Sequence, residues 1–159
     1  LWSWIVLVAS AIVCATIDRA ETPQTDVLSC FGDMGVRTEW NECLTVMFAP
    51  CAQEDVGSAA HLGCLSEQRE DWRQAKIEAE GDVISQLTED GMAELSGLMI
   101  AWPKFVEDKC NAVAESRAGI SSEAAELGCR ISELALITNE MTACLSGRST
   151  EAYCQLREE

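Results

Sequence analysis

The chain has 159 residues, the length of a single domain that can bury a substantial hydrophobic core. Its formal net charge of −16 makes nucleic acid and anionic membrane surfaces unfavourable partners, because both attract basic proteins. A cationic protein fits this charge better, although an acidic surface also serves solubility alone.

The cysteine content points to disulfides. Nine cysteines are present, and no two of them form the Cys-x-x-Cys pair that zinc ribbons and thioredoxin-type redox sites need. His61 is the only histidine, so a mixed cysteine–histidine zinc site would have a single histidine ligand to draw on. So many cysteines are unusual in the reducing cytosol and typical of oxidising compartments. We therefore predict a disulfide framework and neither a metal nor another cofactor.

The first 15 residues are uncharged and apolar, and we predict that they form a signal peptide cleaved after Ala15. The stretch is shorter than the ~20 apolar residues of a membrane-spanning helix, so we expect no stable membrane span after cleavage. Cleavage removes Cys14 and leaves eight of the nine cysteines, an even number that suits four bridges. A minor alternative is a lipoprotein anchored at Cys14. The expected location is the periplasm or the extracellular medium.

Two short helices are predicted near the mature N-terminus. Residues 16–37 are read as an N-terminal segment with a short helix at about 26–33. A second short helix is predicted from Thr38, a good N-cap residue, to about Phe48.

Three long helices follow, at about 59–87, 92–115 and 123–145, each with apolar residues at steps of three and four. Ser58 is predicted to cap the first, and the short connector at 88–91 indicates that the second returns antiparallel. No segment shows the alternation typical of a half-buried strand. The predicted fold is all-α, with three main antiparallel helices and two short N-terminal helices, held together by disulfides.

The apolar face of the second long helix carries two aromatic residues, Trp102 and Phe105. We predict that both pack in the core against the stripes that carry Trp72 and Leu134. Core packing is favoured over a ligand site, because large aromatic side chains are mostly buried.

The antiparallel topology suggests how the cysteines pair. Cys110 and Cys129 are predicted to close the connection between the second and third long helices, and Cys144 and Cys154 to tie down the tail. The other four are expected to join the short helices to the base of the bundle, in a pairing left open: Cys30, Cys43, Cys51 and Cys64.

The pattern Trp102-x-x-Phe105-x-Glu107-x-x-Cys110, followed by a turn and Cys129, resembles the signature of the LprI-like lysozyme-inhibitor family, in its alphaproteobacterial branch. Earlier residues agree with the same signature: Cys43, Cys51, Cys64, Leu65, Glu67 and Trp72. The resemblance covers about residues 41–140. It implies a small exported helical domain with disulfides, and we place this domain, together with its disulfide-tied tail, at residues 38–159. For the founding member of the family it implies inhibition of lysozyme.

This resemblance and the negative charge favour a binding module that blocks a basic muramidase. The candidate inhibitory turn lies between the two cysteines predicted to be bridged, Cys110 and Cys129, and includes Gly119, Ser121, Ser122 and Glu123. The alternative is a disulfide-stabilised structural or interaction module with another partner. The oligomeric state is not predicted.

An enzyme is not expected. His61 is the single histidine, and at the start of a helix it is more often a solvated residue than a catalytic base. The sequence has no nucleophile elbow, phosphate-binding loop or set of metal-spaced ligands.

Overall fold

The computed structural model of the chain describes residues 27–30, 40–117 and 121–156. These residues form helices and contain no β-strand, which confirms the predicted all-α class. The predicted signal peptide at 1–15 and most of the predicted segment at 16–37 lie outside the described residues.

Six helical elements follow the short helical stretch at 27–30. They are helix α1, Trp40–Phe48; a 3-10 turn, Ala49–Cys51; α2, Ala59–Ile84; α3, Glu89–Ser116; α4, Ser122–Leu145; and a 3-10 helix in the tail, Ala152–Gln155. The three long helices are the predicted ones, with ends displaced by no more than three residues.

Each long helix begins at a side-chain cap, in which a hydroxyl accepts a hydrogen bond from the backbone N–H three residues further on. The capping residues are Ser58, Thr88 and Ser121. Each cap satisfies one of the unpaired donors of a helix start and contributes about 1 kcal/mol. At the end of α4, Gly147 has a φ of 70°, a left-handed conformation that glycine adopts without strain.

Helix α4 is the centre of the bundle. It packs against both α2 and α3, whereas α2 and α3 make few direct contacts with each other. Every residue from 124 to 145 is accordingly at least partly buried. Because α2 and α3 stand apart, a groove remains between them above α4.

The core consists of two clusters along α4. The first joins the N-terminal halves of α2 and α4 to α1 and the stretch at 27–30, and its members are Val27, Cys43, Met47, Cys51, Leu65, Trp72, Ala124, Leu127, Ile131 and Ala135. The second joins the C-terminal halves of α2 and α4 to the start of α3 and the tail, and its members are Ala79, Val83, Leu87, Leu95, Ile137, Met141, Cys144, Tyr153 and Cys154. The tail is thus part of the core.

Four disulfides connect these elements, with Cα–Cα separations between 5.3 and 5.7 Å that lie in the usual range. Cys110–Cys129 joins α3 to α4 and Cys144–Cys154 ties the tail to α4, and both predicted pairs are confirmed. The pairing left open is resolved as Cys30–Cys43 and Cys51–Cys64. These two bridges hold α1 to the stretch before it and the 3-10 turn to α2.

The predicted aromatic core is partly wrong. Trp72 is 1% exposed and lies in the first cluster, as expected, but Phe105 is 55% exposed. Trp102 is half-buried and packs against the second cluster. Because α4 is the one long helix among the described residues that packs along α3, α3 buries a narrower stripe than a helix enclosed on two sides. Phe105 falls on the flank of that stripe, where the Nζ of Lys109 lies 5.7 Å from the centre of its ring.

None of the described helices combines the length and the apolarity that a membrane span requires.

Candidate protein-binding surface

One flank of α2 carries a row of carboxylates, which we call the acidic stripe: Glu67, Asp71, Glu78 and Asp82. Spacings of four, seven and four residues place all four on one face of the helix, over a length of about 22 Å. All four residues are exposed. None of them forms an ion pair with another described residue. The stripe therefore offers uncompensated negative charge to solvent.

The acidic stripe ends in a notch of about 170 Å³ between α2, the 3-10 turn and the residues before them. Glu67 and Asp71 line this notch together with Gln68. The rest of its lining is mostly apolar: Val27, Met47, Pro50, Trp72 and the Cys51–Cys64 disulfide. A cavity with carboxylates beside apolar walls fits a lysine or arginine side chain, whose aliphatic stem is apolar and whose head is cationic.

The walls of the notch are held in place before any partner binds. The side-chain amide of Gln68 donates a hydrogen bond to the backbone carbonyl of Met47, which joins α2 to α1. The Cys51–Cys64 bridge fixes the 3-10 turn against the first two turns of α2. A preformed site loses less conformational entropy on binding than one that must order itself.

The predicted inhibitory turn is divided between structural and exposed residues. Gly119 lies outside the described residues. Ser121 caps α4 by accepting a hydrogen bond from the Ala124 N–H at 3.2 Å. A Cβ atom added to Gly57 would lie 2.7 Å from the Cβ of Ser121, so the start of α4 packs closely on the loop before α2. Ser122 and Glu123 are exposed and remain the candidates for partner contacts.

His61 supports the loop before α2. Its Nδ1 accepts a hydrogen bond from the Gly57 N–H at 3.2 Å, and its own N–H donates to the Ser58 hydroxyl at 3.1 Å. The residue is partly buried rather than fully solvated. Within the described parts of the chain, no group of three or more potential metal ligands occurs.

A larger cavity of about 390 Å³ lies between α3, α4 and Phe48, next to the Cys110–Cys129 bridge. Its buried carboxylate, Glu133, accepts a hydrogen bond from the Lys109 Nζ at 2.5 Å. Because this carboxylate is already paired, it is not available to bind a cation from a partner.

Comparison of the chain with protein-family models, with curated proteins and with solved structures found no match. Membership of the LprI-like family therefore stays a prediction based on the resemblance.

The acidic stripe is not among the features predicted above, although its signal is visible in the sequence as carboxylates at spacings of four, seven and four within the predicted helix. The notch has no comparable signal. It depends on the pairing of Cys51 with Cys64 and on the packing of α1 against α2, which bring separate segments together.

Proposed function

We propose that this protein is an exported module that binds a basic muramidase through the acidic stripe of α2 and blocks it. The observation that carries the proposal is the row of carboxylates that form no ion pair with a described residue and that ends in a notch suited to a basic side chain. The four disulfides are typical of proteins that fold in an oxidising compartment, such as the periplasm or the extracellular medium, where muramidases act.

Binding is proposed to occur in two stages. The net charge of −16 first steers a cationic enzyme towards the domain, which raises the association rate at low ionic strength. A lysine or arginine of the enzyme then enters the notch and meets Glu67 and Asp71. Inhibition follows when the bound domain covers the cleft through which the polysaccharide reaches the catalytic carboxylates.

The test compares two variants with the same change in charge. The stripe variant carries Glu67→Gln, Asp71→Asn, Glu78→Gln and Asp82→Asn. The matched control removes four exposed carboxylates from α3 that form no ion pair with a described residue, through Asp90→Asn, Glu94→Gln, Glu107→Gln and Glu115→Gln. Binding to a basic muramidase and its residual activity are measured at low and at physiological salt.

The wild-type protein is expected to bind and inhibit the muramidase at low salt. Binding should be weaker at physiological salt, because screening limits the range over which exposed charges interact to about 8 Å. The stripe variant is expected to bind at least ~10-fold more weakly than the control, because it loses close charge pairs as well as steering. Absence of wild-type binding at low salt would contradict the proposal. If the two variants lose binding affinity equally, the negative charge steers the muramidase without a defined binding site on the stripe. That result would favour another partner.

The exposed residues of the predicted turn are tested separately. Ser122→Ala with Glu123→Ala should weaken inhibition if the turn contacts the enzyme, and should leave the melting temperature nearly unchanged. Ser121 is left intact because its replacement would remove the cap of α4 and cost about 1 kcal/mol. Unchanged inhibition would exclude a role for the turn and leave the stripe as the contact surface.

A further inference from the structure

The groove between α2 and α3 has a different chemistry from the acidic stripe. It encloses about 250 Å³, with α4 as its floor. Three arginines and one carboxylate line it: Arg69, Arg73, Arg130 and Glu70. The rest of its lining is apolar: Trp102, Pro103, Val106 and Leu134.

The arginines are a local exception in an acidic protein. The chain has 11 lysines and arginines against 27 acidic residues, yet three arginines converge on this one cavity. Arg69 and Arg73 are one turn apart on the flank of α2 that faces away from the acidic stripe. Arg130 approaches from α4. The groove therefore combines positive charge with an apolar surface.

The guanidinium groups are available to a ligand. Arg69 makes no hydrogen bond or ion pair with any other described residue, and it is exposed. Arg73 pairs with Glu70, but the two side chains are 52% and 59% exposed. Arg130 pairs with Glu126, with side chains 28% and 37% exposed. Because ion pairs between exposed or partly exposed side chains on one helix are weak, a ligand oxyanion can compete for these arginines.

The apolar half of the groove limits what the ligand can be. Trp102 is half-buried, with Pro103 beside it, so the wall offers a ring surface to a flat or aliphatic group. The groove volume of about 250 Å³ is below the ~300–1,000 Å³ of typical sites for drug-sized ligands, so the ligand must be smaller than these. A large polyanion would be repelled by the net charge of −16, whereas a small monoanion carries little charge to repel.

We propose that this groove binds a small organic acid, with its carboxylate against Arg69 and the neighbouring arginines and its apolar body against Trp102. Arginine suits this role because its planar guanidinium binds a carboxylate through two parallel hydrogen bonds. The site lies apart from the acidic stripe, so it does not depend on the proposed muramidase binding.

The test uses benzoate as the probe and benzyl alcohol as its uncharged counterpart, with binding followed by NMR titration of the oxidised full-length protein. Benzoate is expected to shift the Trp102 indole and Arg69 side-chain signals saturably, with a Kd on the order of 1 mM, as its size allows. Arg69→Gln should weaken benzoate binding at least ~10-fold, and Arg130→Gln should also weaken it. Lys104→Gln is the matched control, because Lys104 is an exposed cation that does not line the groove.

Arg69 is exposed and forms no ion pair with a described residue, so Arg69→Gln is expected to keep the wild-type melting temperature, which is checked in the same preparation. Benzoate binding that is lost in Arg69→Gln and kept in Lys104→Gln supports the proposal. The proposal is overturned if wild-type shifts do not saturate at roughly 20 mM, about twentyfold above the expected Kd. It is also overturned if benzyl alcohol binds as tightly as benzoate, or if Arg69→Gln binds benzoate like the wild type.

Discussion

Trp72 lies where the first core cluster meets the notch at the end of the acidic stripe. Its side chain is 1% exposed and lies in the first core cluster, beneath the notch at the end of the acidic stripe. The surrounding elements are held by two disulfides and cannot collapse easily into a cavity left by truncation. The residue therefore supports both the fold and the candidate site.

Truncation of Trp72 is expected to be severe and truncation of Phe105 mild. Trp72→Ala should lower the free energy of unfolding by about 3–5 kcal/mol, as large aromatic truncations in cores do. Phe105→Ala should change it by less than about 0.5 kcal/mol, since the ring is 55% exposed. Urea unfolding of both variants measures the two values. Similar losses for the two residues would contradict the burial described for them.

Tyr153 is expected to make the free energy of unfolding depend on pH in the alkaline range. Burial, with smaller contributions from Glu140 and Glu151, raises the pKa of Tyr153 to about 12. A tyrosine in an unfolded chain titrates near 10. The stabilisation is fully present below pH 10, because both states are then protonated, and it is lost as the pH rises towards 12, because the unfolded chain releases its proton first.

The free energy of unfolding is therefore expected to fall by up to about 2 kcal/mol between pH 10 and pH 12 through this group. Tyr153→Phe should remove that part of the pH dependence. Near pH 7 the variant should lose no hydrogen bond, because the Tyr153 hydroxyl has no partner among the described residues. Urea unfolding at several pH values compares the two proteins, and identical alkaline slopes would exclude Tyr153 as the cause.

At the scale of elements, the tail and the start of α3 form one unit. The backbone N–H and the hydroxyl of Thr88 both donate hydrogen bonds to the carbonyl oxygen of Leu156, at 2.9 Å each. Gly91 lies directly beneath this contact, since an added Cβ would be 2.8 Å from the same oxygen. The tail thus depends on a glycine in the first turn of α3 as well as on the Cys144–Cys154 bridge.

Two glycine-to-alanine changes in helices are expected to have opposite effects. Gly81 lies inside α2, and no atom lies within 4 Å of an added Cβ. Gly81→Ala should raise the free energy of unfolding by about 0.5–1 kcal/mol, because alanine favours the helix. Gly91→Ala should lower it, because the tail must move. Thermal unfolding of the two variants shows whether each change raises or lowers the stability. Stabilisation by Gly91→Ala would contradict the packing of the tail on Gly91.

Helix positions were predictable because each long helix has local signals at its ends. Ser58 and Gly147 mark such ends in the sequence and act there in the structure. The width of the buried stripe on α3 was not predictable, because it depends on how many helices surround α3. This is why the sequence pattern predicts core positions for both Trp102 and Phe105, whereas in the structure Trp102 is half-buried and Phe105 is exposed.

At the scale of the whole molecule, four disulfides close successive segments of the chain between Cys30 and Cys154. All eight cysteines of the predicted mature chain are paired, so the oxidised protein without residues 1–15 should show no reactive thiol when it is denatured without reductant. Thiol titration in denaturant measures this directly. Two or more reactive thiols per chain would contradict the four bridges.

The candidate surfaces arise from the arrangement of the whole bundle. The charges on α2 separate into a stripe of carboxylates on one flank and arginines on the other, and helical spacing alone predicts this separation. The notch and the groove were not predictable in the same way. The notch requires the Cys51–Cys64 pairing, and the groove requires that α2 and α3 stand apart on α4.

The proposal that the acidic stripe binds a muramidase is tested most directly by NMR. The signals of the backbone amides are mapped while a basic muramidase is added at low salt. We expect the largest changes around Glu67 and Asp71, along the exposed flank of α2, and in the 3-10 turn Ala49–Cys51. Little change is expected on the outer face of α3. Saturable binding with changes confined to α3, or no change at all with the disulfides intact, would contradict the account.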